Sequence, residues 1–175
     1  TSHDVSGKAS LKLLYSDTNQ LTELKLSGCT ALTKLECNNN QLTSLDLNGL
    51  TALNSVVLDN QTYSVGDLEV SYDLSQLPAG FVSSKASNWQ GADCENGVLK
   101  NFTSDSITYD YDCGNSRTMT VTLAADSYTN TDEVEINTAN FPDSTFRTYV
   151  KTLDTDKSGK LSKDEINAVT EMRIY

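Results

Sequence analysis

From Leu11 to Gln61 the apolar positions recur with a fixed step. Leu21-Thr22-Glu23-Leu24-Lys25-Leu26 returns as Leu42-Thr43-Ser44-Leu45-Asp46-Leu47, 21 residues on, and Thr30-Ala31-Leu32 returns as Thr51-Ala52-Leu53 at the same interval. Leu14, Leu35 and Val56 form one column, Ser16, Cys37 and Leu58 a second, and Asn19, Asn40 and Gln61 a third. Side chains at fixed offsets in stacked turns line up into a continuous core. An inward Asn can bond turn backbone where no ladder partner exists, so Asn38-Asn39-Asn40 is expected to be turn structure and not a polar binding site. Two short apolar stretches in each unit predict strands on both sides of the turn.

From residue 63 the period changes to two. Leu68, Val70, Tyr72 and Leu74 alternate, which predicts one half-buried strand. Ile107, Tyr109, Tyr111 and Cys113 alternate before Gly114-Asn115-Ser116, and Met119, Val121 and Leu123 alternate after it, which predicts a hairpin. Pro78-Ala79-Gly80 and Trp89-Gln90-Gly91 read as loops and Ser127–Asp132 as a polar linker. Beyond it Phe146, Val150 and Leu153 share a helical face, with Asp143 or Ser144 as cap after Pro142; Ile166, Val169 and Met172 mark a second helix. The expected fold class is therefore mixed and mainly β. Residues 1–62 form stacked turns, 63–130 a small β-sheet or Ig-like sandwich, and 131–175 a helix–loop–helix unit. A repeat array this short needs a cover on its last open turn, and 63–130 is the expected cover.

Charge narrows the partners. Lys and Arg number 13 against 24 Asp and Glu, a net charge of -11, which disfavours nucleic acid and anionic membranes. No apolar run reaches the roughly 18 residues of a membrane span. The acidic, Ser/Thr/Asn-rich composition suits an extracellular protein, and both ends, TSHDVSG and EMRIY, read as cuts from a longer one. Cys29 and Cys37 occupy leucine positions and are expected to be small buried hydrophobes. Spacing leaves a Cys94–Cys113 disulfide open.

Catalytic chemistry finds little support. His3 is the only histidine and falls in an expected frayed terminus, so triads built on it are excluded. No HExxH, paired CxxC or glycine-rich phosphate loop occurs. Asp67, Glu69 and Asp73 read as a solvated strand face. Trp89, with Tyr109 and Tyr111, is either a sugar-stacking platform or an aromatic plug of the β module, and the plug is favoured. The chain is expected not to be an enzyme.

The strongest motif lies between the two predicted helices. In LDTDKSGKLSKDEI, counting from Asp154, oxygen donors fall at positions 1 (Asp154), 3 (Asp156), 5 (Ser158), 9 (Ser162) and 12 (Glu165), with Gly159 at 6 and Lys160 at 7. Ca2+ takes six to eight oxygens in loose geometry, and an EF-hand loop supplies them from these positions. Lys160 would lend its backbone carbonyl, Ser162 would act through water, Glu165 would close the shell with two oxygens, and Leu161 would anchor the loop. Gly159 is expected at a turn that a Cβ would obstruct. Ser162 to Glu165 also forms a capping box, which alone would not account for Asp154, Asp156, Ser158 and Gly159. Three carboxylates predict modest affinity, about 0.1–1 mM as in extracellular modules.

The segments GCTALTKLECNNNQL (28–42) and NNQLTSLDLNGLTAL (39–53) resemble the leucine-rich repeats of secreted or surface proteins of gut bacteria. The resemblance covers residues 8–62 and implies a short solenoid. The C-terminal block from Ile136 to Ile174 is similar to the EF-hand-like calcium unit that precedes repeats in such proteins, and its tail Ala168–Ile174 looks like the start of a further coil. Dockerin loops are also similar but come in tandem, and no second loop has the spacing. The resemblance implies an extracellular or cell-surface interaction fragment with a structural calcium joint. Its expected contacts for a protein or glycan ligand are Lys25, Lys34, Glu36, Ser44 and Asp46. The alternatives are a non-catalytic targeting module of a larger secreted glycoside hydrolase or peptidase, a dockerin-like docking module, and a spacer.

Overall fold

The 21-residue step is a hydrogen-bonding register. In a computed structural model, which describes residues 1–128 and 133–170, five three-residue strands run through the first turns: β1 (Ser2–Asp4), β2 (Leu13–Tyr15), β3 (Glu23–Lys25), β4 (Lys34–Glu36) and β5 (Ser55–Val57). β1 pairs in parallel with β3, Ser2 opposite Glu23. On a second ladder β2, β4 and β5 are parallel, with Leu14, Leu35 and Val56 in one row. Leu24, Leu26, Leu32, Leu35, Leu42, Leu45 and Leu47 are buried between, with Cys29 and Cys37 fully enclosed.

The stacking begins earlier than the leucines indicate. Gly7, Gly28 and Gly49 repeat at the same step, all left-handed at φ +75°, +78° and +78°, a conformation glycine adopts without strain. His3 is not frayed but sits in β1 opposite Leu24. The first turn carries His3 and Lys8 where later turns carry leucine or cysteine, and only Val5, Leu11 and Leu14 continue its apolar columns.

Buried amides hold the turns together. Asn40 Oδ1 accepts from Leu21 N–H (2.9 Å), and its Nδ2 donates to Ser16 O (2.8 Å) and Cys37 O (2.9 Å). One step on, Gln61 Oε1 accepts from Leu42 N–H (3.1 Å) and Nε2 donates to Cys37 O (2.8 Å) and Leu58 O (2.9 Å). The asparagine run is turn structure, as expected.

The β module contains β6 (Gln61–Leu68), β7 (Ser71–Asp73), β8 (Ala86–Gln90), β9 (Asp93–Glu95), β10 (Val98–Lys100), β11 (Ser106–Gly114) and β12 (Arg117–Tyr128). One sheet has the order β6-β12-β11-β8 and another β7-β10-β9. The β11–β12 hairpin buries Ile107, Tyr109, Tyr111, Cys113, Met119, Val121 and Leu123, as the alternation requires. An Ig-like sandwich is built of antiparallel sheets, whereas β6 and β12 are parallel. The Leu68–Leu74 alternation is not one strand: the chain leaves β6 after Leu68, and Val70 is 64% exposed. Trp89 and Gln90 belong to β8, not to a loop. Ser127 and Tyr128 extend β12 against Asp67 and Leu68, and the rest of the expected linker, 129–132, lies outside the described residues.

The hairpin seats on the third turn through hydrogen bonds to that turn's backbone. Leu47 N–H donates to Cys113 O (2.8 Å), the Tyr109 hydroxyl to Thr43 O (2.7 Å) and Asn115 Nδ2 to Leu50 O (3.1 Å). Trp89 stacks on buried Tyr109 at 4.5 Å between centroids and plugs the module. All four cysteines are free thiols. Cys94 lies in β9 and Cys113 in β11, and with both thiols free no disulfide joins them. Burial pushes the Cys37 and Cys113 thiols up to about 12, which leaves both as inert hydrophobes.

The chain divides into compact units Thr1–Thr129 and Asn130–Tyr175. The second holds β13 (Val134–Glu135), α1 (Ser144–Val150), β14 (Lys160–Leu161) and α2 (Lys163–Asn167). Asp143 caps α1, accepting from Phe146 N–H at 2.6 Å, and Val150 and Leu161 are buried. α2 stops at Asn167 and leaves Ile166 42% exposed, so the second apolar face is shorter than predicted; Met172 lies outside the described residues. No helix among the described residues is long and apolar enough to cross a membrane.

Asn40→Ala strands buried backbone groups of two turns and is expected to cost about 2–4 kcal/mol of stability, since each orphaned buried group costs about 1–3 kcal/mol. Asn19→Ala, whose amide bonds are largely exposed, is expected to cost below about 1 kcal/mol. Urea denaturation of the two variants measures the difference.

Candidate metal centre

The loop from Asp154 to Glu165 folds on its own backbone. Asp154 Oδ1 accepts from Ser158 N–H (3.0 Å) and Oδ2 from Gly159 N–H (2.9 Å), while Asp156 Oδ1 accepts from Ser158 N–H (2.9 Å). The chain reverses through Lys157 and Gly159, at φ +59° and +82°. A Cβ at Gly159 would meet nothing within 4 Å. The demand for glycine is therefore conformational, and the expected steric obstruction is absent. Past the turn, β14 pairs antiparallel with β13, Leu161 opposite Val134.

Glu165 approaches from α2. Its Oε2 accepts from Ser162 N–H (3.0 Å) and the Ser162 hydroxyl (2.9 Å), and its Oε1 accepts from the Thr155 hydroxyl (2.9 Å) and the Thr155 N–H. Capping box and converging carboxylate are thus one structure. Oxygens of Asp154, Asp156 and Glu165 lie within 4.8 Å of one another.

Of the six residues singled out from sequence, these three come together. Ser158 Oγ stands 3.4 Å from Lys160 O, so the donors of positions 5 and 7 are neighbours. The Lys160 ammonium pairs with Glu133 at 3.0 Å. Ser162 uses its hydroxyl on Glu165, which makes it a positioning residue. Thr155 holds the other side of the same carboxylate and was not singled out, because no spacing rule assigns a role to position 2. Three carboxylates with hydroxyl and carbonyl oxygens beside them form an all-oxygen set, which suits a hard divalent cation over a soft one.

Hydrogen bonding stabilises the charged forms. The Ser162 N–H foremost, then the Thr155 N–H and hydroxyl, lower the Glu165 carboxyl to about 2. Asp156 is held below the usual carboxylate range chiefly by the N–H and hydroxyl of Ser158.

The expected partner-binding residues do not form one surface. Lys34 and Glu36 pair at 2.8 Å on the β2-β4-β5 ladder, with the Lys34 ammonium 4.9 Å from the centroid of the exposed Tyr15 ring. Lys25 pairs with Glu23 at 3.2 Å on the other ladder. With Ser44 and Asp46 it lines a groove of about 370 Å³. Compared with known proteins, the chain matches no family model, no curated protein and no solved structure.

Because Glu165 titrates in the fold near 2, below its ordinary 4.5, its hydrogen bonds contribute fully above about pH 4.5 and fade as the pH falls toward 2. An NMR titration in metal-free buffer is expected to move the Thr155 and Ser162 amide signals with a midpoint near 2, and Glu165→Gln is expected to remove that transition.

Proposed function

We propose that the chain is a non-enzymatic interaction fragment of a secreted or cell-surface bacterial protein. Leucine-rich-repeat turns carry its binding surface, and a single EF-hand-like loop holds Ca2+ as a structural joint. The observation that carries the calcium reading is the meeting of Asp154, Asp156 and Glu165 between α1 and α2, at positions 1, 3 and 12 of the loop. Ser158 and the Lys160 carbonyl would add oxygens, and Ser162 would hold Glu165 in place. The 21-residue parallel register supports the repeat reading.

A joint explains the setting better than a switch. α1 has 7 residues and α2 has 5, and helices this short are marginal without outside support. Cation binding to a loop that ties both would go into ordering them. Neutralising three adjacent carboxylates removes their mutual repulsion, which Asp154 and Asp156 otherwise offset with hydrogen bonds from Ser158 and Gly159. The loop's strand edge is already paired with β13 in the same unit, so it is not free to pair with a second loop as a sensor would.

At a Kd of about 0.1 mM, 1 mM Ca2+ is expected to stabilise the C-terminal unit by about 1.4 kcal/mol. Calorimetric titration and melting with and without EDTA measure this, and Asp154→Ala is expected to abolish both the binding heat and the EDTA effect. A melting curve indifferent to chelator, with no heat on Ca2+ addition, rules the site out.

A further inference from the structure

The bonds that close one side of the stacked turns stop between the second turn and the third. From first to second, Val5 N–H donates to Lys25 O (3.1 Å), Gly7 N–H to Ser27 O (2.7 Å) and Thr22 N–H to Thr1 O (2.8 Å). One step on, the same bonds would join Leu26 N–H to Asp46 O, Gly28 N–H to Asn48 O and Thr43 N–H to Thr22 O. None of them is present, and Ser44–Asp46 belong to no strand. The other side of the stack is unbroken: Ser16 N–H to Glu36 O (2.8 Å) and Thr18 N–H to Asn38 O (2.9 Å) recur as Cys37 N–H to Val57 O (3.0 Å) and Asn39 N–H to Asp59 O (3.0 Å).

The third turn bonds the hairpin instead, through Leu47 N–H to Cys113 O and Thr43 O from the Tyr109 hydroxyl. The groove of about 370 Å³ lies at this split, with Leu24–Ser27 and Ser44–Asp46 among its walls and Gly80 and Tyr111 beside them. Thr43, next to Ser44, also keeps a buried hydroxyl with no hydrogen-bond partner.

We infer that the groove docks an extended peptide, which adds as a β-strand between the second and third turns. The unmade bonds leave the Leu26 and Gly28 N–H groups on one wall and the Asp46 and Asn48 C=O groups on the other, and a peptide backbone supplies acceptors for the first and donors for the second. The volume lies at the lower end of the about 300–1,000 Å³ typical of ligand sites, which limits the inserted part to a short segment. Lys25 and Lys85 with Glu23 and Asp46 at the lining provide both signs of charge for its side chains. The inference rests on the reading of the repeat turns as a binding surface and narrows the ligand to peptide.

The test uses the full chain, amide exchange by NMR, and a random heptapeptide library displayed on phage. In the free protein the Leu26, Gly28 and Thr43 amides are expected to exchange about tenfold or more faster than those of Cys37 and Asn39, since only the latter pair is laddered. Selected peptides are expected to slow the three amides. Ser44→Trp, which fills the groove, is expected to weaken them about tenfold or more, and the milder Lys25→Ala to weaken them measurably with unchanged melting. The three amides protected in the free chain, a library that yields no binder, or binders that slow none of them would each overturn the proposal. A glycan bound by the wild type and lost in Ser44→Trp would overturn the peptide occupant and leave the binding surface intact.

Discussion

Every turn of the first 63 residues must satisfy its backbone on its neighbours, and one register of 21 residues lets the leucines and the amides do this together. Asn40 and Gln61 are the means. Each places a buried amide where the turn has no ladder partner, accepts from one turn and donates to another. A slip of a single residue would take the leucines out of the core and leave these amides facing apolar side chains, where an unpaired polar group costs about 1–3 kcal/mol.

The β module depends on that register and also limits it. Its hairpin takes the Leu47 N–H and the Thr43 carbonyl, so the third turn bonds sideways to β11 where the second bonds to the first. The stack keeps its ladder on the β2-β4-β5 side and loses it on the other. One contact set therefore both covers the last turn and opens the groove beside Lys25, Ser44 and Asp46.

In the C-terminal unit a similar economy centres on Glu165. Its carboxylate caps α2, ties down Thr155 and meets Asp154 and Asp156. Backbone N–H groups hold all three carboxylates in position, so the loop is organised by the bonds that gather its oxygens.

The period-21 columns, the hairpin alternation and the spacing of Asp154, Asp156 and Glu165 were legible in the sequence, because each is a local repetition of side-chain chemistry. The first turn was legible only in part, since His3 and Lys8 interrupt its apolar columns and Val5, Leu11, Leu14 and Gly7 alone keep the step. Val70, Trp89 and Val169 were misread for a related reason: periodicity says which residues alternate, but not where a strand or a helix stops. The role of Thr155, the parallel β6–β12 pair, the separation of Lys34 and Glu36 from Lys25, Ser44 and Asp46, and the broken ladder were decided by tertiary structure alone. Each depends on which distant backbone group reaches a hydrogen-bond donor or acceptor first, and that competition leaves no pattern along the chain.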